Sequence, residues 1–181
     1  MGYPGKSRKS YDTPRHPWEA ERIAQEVKLV KTYGLRNKRE LWKAQSIIRK
    51  YRRVSRVLLA ATARGDKAAG VQTREILGHL ESCGMLGENS DFDSVLSMKI
   101  EALLERRLQT QVYRQGWAKT MRQARQFITH GHIQVSGRKV TIPGYYVRRG
   151  EEMTLDYYRG SPMARENHPE RLTRISTKVE G

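Results

Sequence analysis

RRLQTQVYRQGWAKTMRQARQFITHGHIQVSGRKVTIPGYYVRRG, residues 106–150, carries ten basic side chains and no acid. Its hydrophobic period changes midway, and that change decides the fold. Leu104, Leu108 and Val112 recur every four residues, which predicts a helix over Lys99 to Arg114 that stops near Gly116. Arg106, Arg107 and Arg114 would lie off its buried face. Thr120 is a good N-cap, with Gln123 where a capping box wants it. The helix it starts runs to about His130, with Gly131 as its stop. Met121, Ala124, Phe127 and Ile128 point inward, and Arg122, Arg125 and Thr129 share an outer face. After Gly131 the period becomes two. Ile133 and Val135 alternate with His132 and Gln134, Ser136-Gly137 turns the chain, and Val140 and Ile142 alternate again. Tyr145 to Arg148 and Met153 to Tyr157 supply further strands. The expected unit is two short helices on a small antiparallel sheet.

Upstream, the signals are helical. Pro17 suits a first turn, and Ile23, Val27 and Val30 share one face before Gly34. Asn37 and Glu40 resemble a capping box for a long helix ending before Gly65. Leu41, Ala44, Ile48, Tyr51 and Leu58 form its apolar stripe. A shorter helix is expected over Thr73 to Ser82, and a helix start near Asp91 to Ser94. The fold class is therefore α+β. An extended basic arm (1–17) precedes a mainly helical domain (18–102), the helix–helix–sheet module (103–160) and an irregular tail (161–181).

Charge along the chain narrows the partner. The 181 residues hold 35 Lys+Arg against 19 Asp+Glu, for a net charge of +16. Residues 1–65 contribute +12 and residues 106–150 contribute +10, flanking an acidic stretch at 66–105 with −5. Two basic surfaces of this kind attract polyanions, because neutralising phosphates releases counterions. Arg outnumbers Lys by 23 to 12, which favours folded nucleic acid over a diffuse anionic surface. No long apolar run or lipidation signal is present, so a membrane partner is not expected and the chain is read as cytoplasmic. The acidic stretch is expected to face solvent or a protein neighbour. The single cysteine, Cys83, excludes an internal disulfide and a multi-cysteine zinc site, and its apolar surroundings suggest a buried thiol.

The candidate RNA contacts follow. Arg106, Arg107, Lys119, Arg122, Arg125, Arg138 and Lys139 are expected at phosphates. Thr120, Gln123, His130 and His132 can add hydrogen bonds, and Gly131 and Gly137 let backbone approach the sugar-phosphate closely. The long helix has no acid between Glu40 and Asp66. It offers Arg49, Lys50, Arg52, Arg53 and Arg56, with Arg36, Lys38 and Arg39 at its start, and the arm adds Lys6, Arg8 and Lys9. Arg107 and Arg125, on rigid elements, are expected to matter more than tail arginines. His130 and His132 lack a third ligand, so RNA contact or hairpin packing is preferred to a metal, and no cofactor is expected. Trp18, Trp42 and Trp117 can stack on bases or pack. Tyr145 and Tyr146, on alternate faces, are expected one inward and one outward. Recognition should be by shape, because A-form RNA hides its base edges.

These residues carry a family resemblance. Arg106-Arg107-Leu108, Gly116, Ala124-Arg125, His130-Gly131-His132-Ile133, Val135 and Gly137-Arg138 resemble the RNA-binding module named after ribosomal protein S-four. Tyr33 to Glu40, Leu104 to Val112, Asp12 to Pro17 and Ile142-Pro143 resemble the archaeal and eukaryotic branch of the S-four family itself, over most of residues 8–160. Gln109 stands where the bacterial branch has an acid, and the bacterial zinc cysteines are missing. The resemblance implies a structural constituent of the small ribosomal subunit. Such a protein binds a helix junction in the 5′ domain of small-subunit ribosomal RNA and acts early in assembly. It sits near the messenger-RNA entry channel beside proteins S-three and S-five, contributes to translational accuracy, and is not a homo-oligomer. Enzymes with such modules carry a separate catalytic domain, for which this chain shows no motif, so no enzyme activity is expected. A free RNA chaperone is the other alternative, against which the basic N-terminal helices argue.

Overall fold

The computed structural model describes residues 9–88, 90–165 and 168–169. Helices α1 (Ala20–Thr32), α2 (Lys38–Ala63), α3 (Lys67–Ser82), α4 (Phe92–Ser97) and α5 (Ile100–Glu105) come first. Helices α6 (Leu108–Arg114) and α7 (Met121–Thr129) then pack together before strands β1 (Ile133–Val135), β2 (Arg138–Lys139) and β3 (Asp156–Tyr157). The sheet order is β2-β1-β3, antiparallel throughout, with Val135 opposite Arg138 and Ile133 opposite Tyr157.

Local chemistry sets the boundaries of α2 and α7. The Asn37 side chain accepts from the Glu40 N–H at the start of α2, and Thr120 accepts from the Gln123 N–H at the start of α7. The Gln123 side chain reaches back to the Lys119 N–H at 2.6 Å, one residue earlier than a strict capping box. Ser136 and Gly137 both take left-handed φ values, +48° and +75°, which matches a tight hairpin turn to the twist of its strands.

Two buried clusters divide the interior. The first runs from Tyr33 and Leu35 through the α2 stripe to Leu103 and Leu104. The second runs from Leu108 and Val112 through Trp117, Phe127, Ile128 and Ile133 to Tyr157 and Met163. Within it Trp117 and Tyr157 meet edge to face at 4.9 Å, and the Tyr157 hydroxyl donates to the Trp117 carbonyl at 2.7 Å.

Several expectations are corrected. The helix expected over 99–114 is two helices, broken at Arg106 and Arg107. Residues 145–147 run alongside that break: Leu108 N–H donates to the Tyr145 carbonyl, Val147 N–H donates to the Arg106 carbonyl, and Arg107 bridges Tyr146. Backbone groups that a continuous helix would use are thus paired across the fold. Thr110 and Gln111 side chains take the freed carbonyls of Leu104 and Glu105. Helix α3 begins six residues earlier than expected, because Asp66 accepts from the Ala68 N–H and supplies a cap. Arg149–Thr154 is a 3-10 helix rather than a strand connection. Ile142 is exposed and β2 ends at Lys139, so the second alternation does not extend the hairpin. Tyr145 and Tyr146 are both half-buried, one against each cluster. Among the arm residues, Tyr11 rests by Trp42 with ring centroids 6.0 Å apart, and the Asp12 N–H donates to Ser46. Cys83 is buried and free.

Candidate nucleic-acid interface

Glu40 organises the surface between the two clusters. It sits in the first turn of α2. Its carboxylate accepts from Arg107 Nη2 at 2.8 Å, and from Arg125 Nη1 and Nη2 at 3.0 and 2.8 Å. Burial pushes the Glu40 carboxyl up, but the Arg125 hydrogen bonds and the Arg107 charge outweigh it and hold it below the usual carboxylate range. Beside this knot, Gly34 has φ +57°, and a Cβ there would lie 2.6 Å from the Met121 Cβ. The Gln109 amide, almost fully buried, donates to the Gly34 and Met121 carbonyls at 3.0 and 2.9 Å. Gln109 is thus a clamp between the start of α7 and the loop before α2. An acid there would confront two acceptors with no proton to offer.

The expectation that Arg106 and Arg107 lie off the buried face is corrected. Arg106 is 8% exposed and Arg107 is 6% exposed. Arg106 donates twice to the Val147 carbonyl and pairs with Glu152. Arg125 is half-buried on Glu40 rather than free on an outer face. Arg106 ties the module to itself, while Arg107 and Arg125 tie it to α2.

The remaining candidates fall in the two basic stretches of the chain. Lys119, Thr120, Arg122, His130, Gly137, Arg138 and Lys139 are exposed. Gln123 is half-buried in its capping role, and Gly131 is buried at the end of α7 with φ +75°. His132 is half-buried, with Nδ1 2.7 Å from the Ser161 hydroxyl. Burial first, then the charges of His130, His168 and Lys139, depress its pKa. The His130 and His132 rings stack at 6.1 Å, and among the described residues no third ligand joins them.

In the helical region, Arg36, Arg39, Arg49, Lys50, Arg53 and Arg56 are exposed, as is Lys9, and Arg49 lies 3.8 Å from the Asp12 carboxylate. Lys38 pairs with Glu26 at 3.2 Å, and Arg52 donates to the Met98 carbonyl at 2.7 Å, so both are partly engaged. Glu26 also accepts from Arg22 and Trp42. Trp117 is buried, Trp42 half-buried, and Trp18 stands 91% exposed. Lys6 and Arg8 lie outside the described residues. The Gly34–Met121 contact and the Glu40 pairs bring the start of α2, with Arg36 and Arg39, against the start of α7, with Lys119 and Arg122.

Sequence reading missed Glu40 as the organiser, although it is the lone acid between Glu26 and Asp66. A single carboxylate in a long basic run signals an internal partner. It also left out the exposed Arg148.

Comparison with known proteins agrees with this architecture. Residues 106–153 match the family model described as the S4 domain. The chain is 55% identical to small ribosomal subunit protein uS4 of Methanococcoides burtonii, over 99% of this chain and 98% of that protein. It is 53% identical to uS4 of Methanoregula boonei over 97% of this chain and 96% of that protein. With uS4 of Picrophilus torridus it shares 49% identity, over 99% and 98% respectively.

Proposed function

We propose that this chain, which belongs to the uS4 family of small ribosomal subunit proteins, grips small-subunit ribosomal RNA with two basic faces that meet where α2 and α7 begin. It is a structural ribosomal protein and not an enzyme. The observation that carries the two-faced reading is the contrast within the cations. Arg106, Arg107 and Arg125 are held by carboxylates and a carbonyl inside the fold. Lys119, Arg122, Arg138 and Lys139 stand exposed with no carboxylate within ion-pair distance among the described residues. Phosphates are the natural counter-charges for the second set. The first set holds the frame on which the second is displayed, so it acts on affinity through rigidity. The exposed cations of α2 add a second stripe without base specificity, consistent with recognition of A-form shape.

Family membership supports the finer reading. The RNA target is a helix junction in the 5′ domain, bound early in assembly. The protein then lies near the messenger-RNA entry channel beside S-three- and S-five-type proteins, where it contributes to decoding accuracy.

Filter binding of the full chain to a small-subunit 5′-domain RNA tests the interface. With about 6–10 phosphates neutralised, affinity should fall by roughly 10³–10⁵ between about 50 and 200 mM salt. Changing Lys119, Arg122, Arg138 and Lys139 together to Ala should weaken binding and reduce the salt slope by about one for each phosphate no longer neutralised. An unchanged slope and affinity would overturn the assignment.

A further inference from the structure

A cleft of about 520 Å³ opens between α2, the end of α3 and the segment 144–148. That volume falls within the roughly 300–1,000 Å³ range of small-ligand sites. Its walls include Ile47, Tyr51, Met85 and Tyr146, and Lys50 and Arg148 contribute cations to its lining. No carboxylate lines it. The acids closest in sequence to the lining, Glu81 and Glu151, are both engaged elsewhere: Glu81 accepts from the Ser90 N–H at 3.2 Å, and Glu151 accepts from the Tyr145 hydroxyl at 2.9 Å and from the Arg148 N–H at 3.0 Å. Neither the Tyr51 nor the Tyr146 hydroxyl hydrogen-bonds another described residue, although both side chains are half-buried. Tyrosine hydroxyls are protonated at neutral pH at their ordinary pKa of about 10, and burial pushes both of these further up.

We infer that this cleft takes one unstacked nucleobase of single-stranded RNA, with Lys50 and Arg148 at the phosphates on either side of it. Apolar and aromatic walls suit a base face, which any base possesses. Two hydroxyls that have no protein partner among the described residues and stay open to solvent suit a ligand edge that both donates and accepts. Flanking cations without an acid suit a ligand that carries a phosphate on each side. An apolar protein side chain would satisfy the walls but leave the hydroxyls and both charges unanswered. The position fits as well. Lys50 belongs to the acid-free face of α2, and Arg148 to the acid-free segment 106–150, so the cleft lies where the two basic stretches converge. Unstacked bases of loops and junctions are what RNA-binding proteins stack on aromatic side chains.

The inference rests on the RNA-binding reading above, and its test separates the two. The full chain is saturated with small-subunit ribosomal RNA, irradiated at short ultraviolet wavelength, digested, and searched by mass spectrometry for nucleotide adducts. An adduct on Tyr51, Tyr145, Tyr146 or Cys83 is expected. Adducts confined to the exposed basic faces, with none in the cleft, overturn the base site while leaving RNA binding intact. Failure of the chain to bind the RNA at all overturns the parent reading instead. In a second measurement, Tyr51→Leu should weaken RNA affinity about five-fold or more, the loss expected for one stacked base. Unchanged affinity in a folded variant overturns the inference. Tyr51 also packs on the first cluster. Should that variant unfold, the adduct result on the unaltered chain decides. Loss of the cleft adducts when other small-subunit proteins are added to the saturated complex would assign the cleft to a protein partner, and also overturns it.

Discussion

Replacing Glu40 by Gln removes a charge, with little change of shape, at the point where both halves of the molecule converge. The carboxylate receives three hydrogen bonds, one from Arg107 and two from Arg125. Arg107 has only 7% of its side chain exposed, so Glu40→Gln leaves a buried guanidinium without a counter-charge. Breaking a buried pair in this way costs about 3–5 kcal/mol. Glu40 and Arg125 keep 22% and 21% of their side chains exposed, and that solvent screening argues for the lower end, about 3 kcal/mol. For a chain of this length each kcal/mol moves Tm by about 2–4 °C, so the expected fall is about 6–12 °C. Thermal unfolding followed by far-ultraviolet circular dichroism measures it. A double variant, Glu40→Gln with Arg107→Met, should be more stable than the sum of the two single losses predicts, because the second change removes the stranded charge. The pH dependence has a definite sign. The Glu40 carboxyl is held below its usual range in the fold, so its contribution is present above the unfolded value of about 4.3 and is lost as pH falls through the folded value. Glu40→Gln should remove that acid-side slope. A Tm within about 1 °C of the unaltered protein, or strictly additive losses in the double variant, would refute the buried-pair reasoning.

Other expectations follow from the same junction and from the sheet. Gln109→Glu replaces two donated hydrogen bonds by a carboxylate facing two carbonyls, and should destabilise by about 3 kcal/mol or more, read by urea unfolding. Gly34→Ala places a Cβ at a left-handed φ against Met121; a loss of at least about 1 kcal/mol is expected, and an equal or raised urea midpoint would contradict the contact. His132 is held with a depressed pKa, chiefly by burial, so the fold favours its neutral form. Stability should be complete above about pH 6.5 and decline as pH falls below it. Comparing Tm at pH 7.5 and 5.5 for the unaltered chain and His132→Asn tests this: the variant should lose less on acidification.

Much of the architecture is written locally. Asn37 and Thr120 cap helices through their own side chains, and Ser136-Gly137 turns a hairpin by its own φ values; Asp66 caps α3 in the same way, although the sequence reading passes over its signal in favour of a later start. Such features depend on residues two or three apart, so they are legible in sequence, and α2 and α7 follow their signals closely. The burial of Leu104, Leu108 and Val112 is equally legible, because periodic apolar residues must leave water whichever helix carries them. The fate of individual cations is not local. Arg107 and Arg125 find their partner 67 and 85 residues away, and nothing in the acid-free segment 106–150 reveals that an acid of α2 has claimed them. The break at Arg106–Arg107 has the same origin. A continuous helix and a helix interrupted by strand-like pairing to residues 145–147 satisfy comparable numbers of backbone groups, and only the packed fold supplies the second set. The sequence by itself thus determined the caps of α2 and α7, the hairpin, the buried stripes and the basic character of both stretches. Only the tertiary structure decided which arginines stay free for phosphate and which become internal ties, because that choice depends on which carboxylate folding brings within about 3 Å.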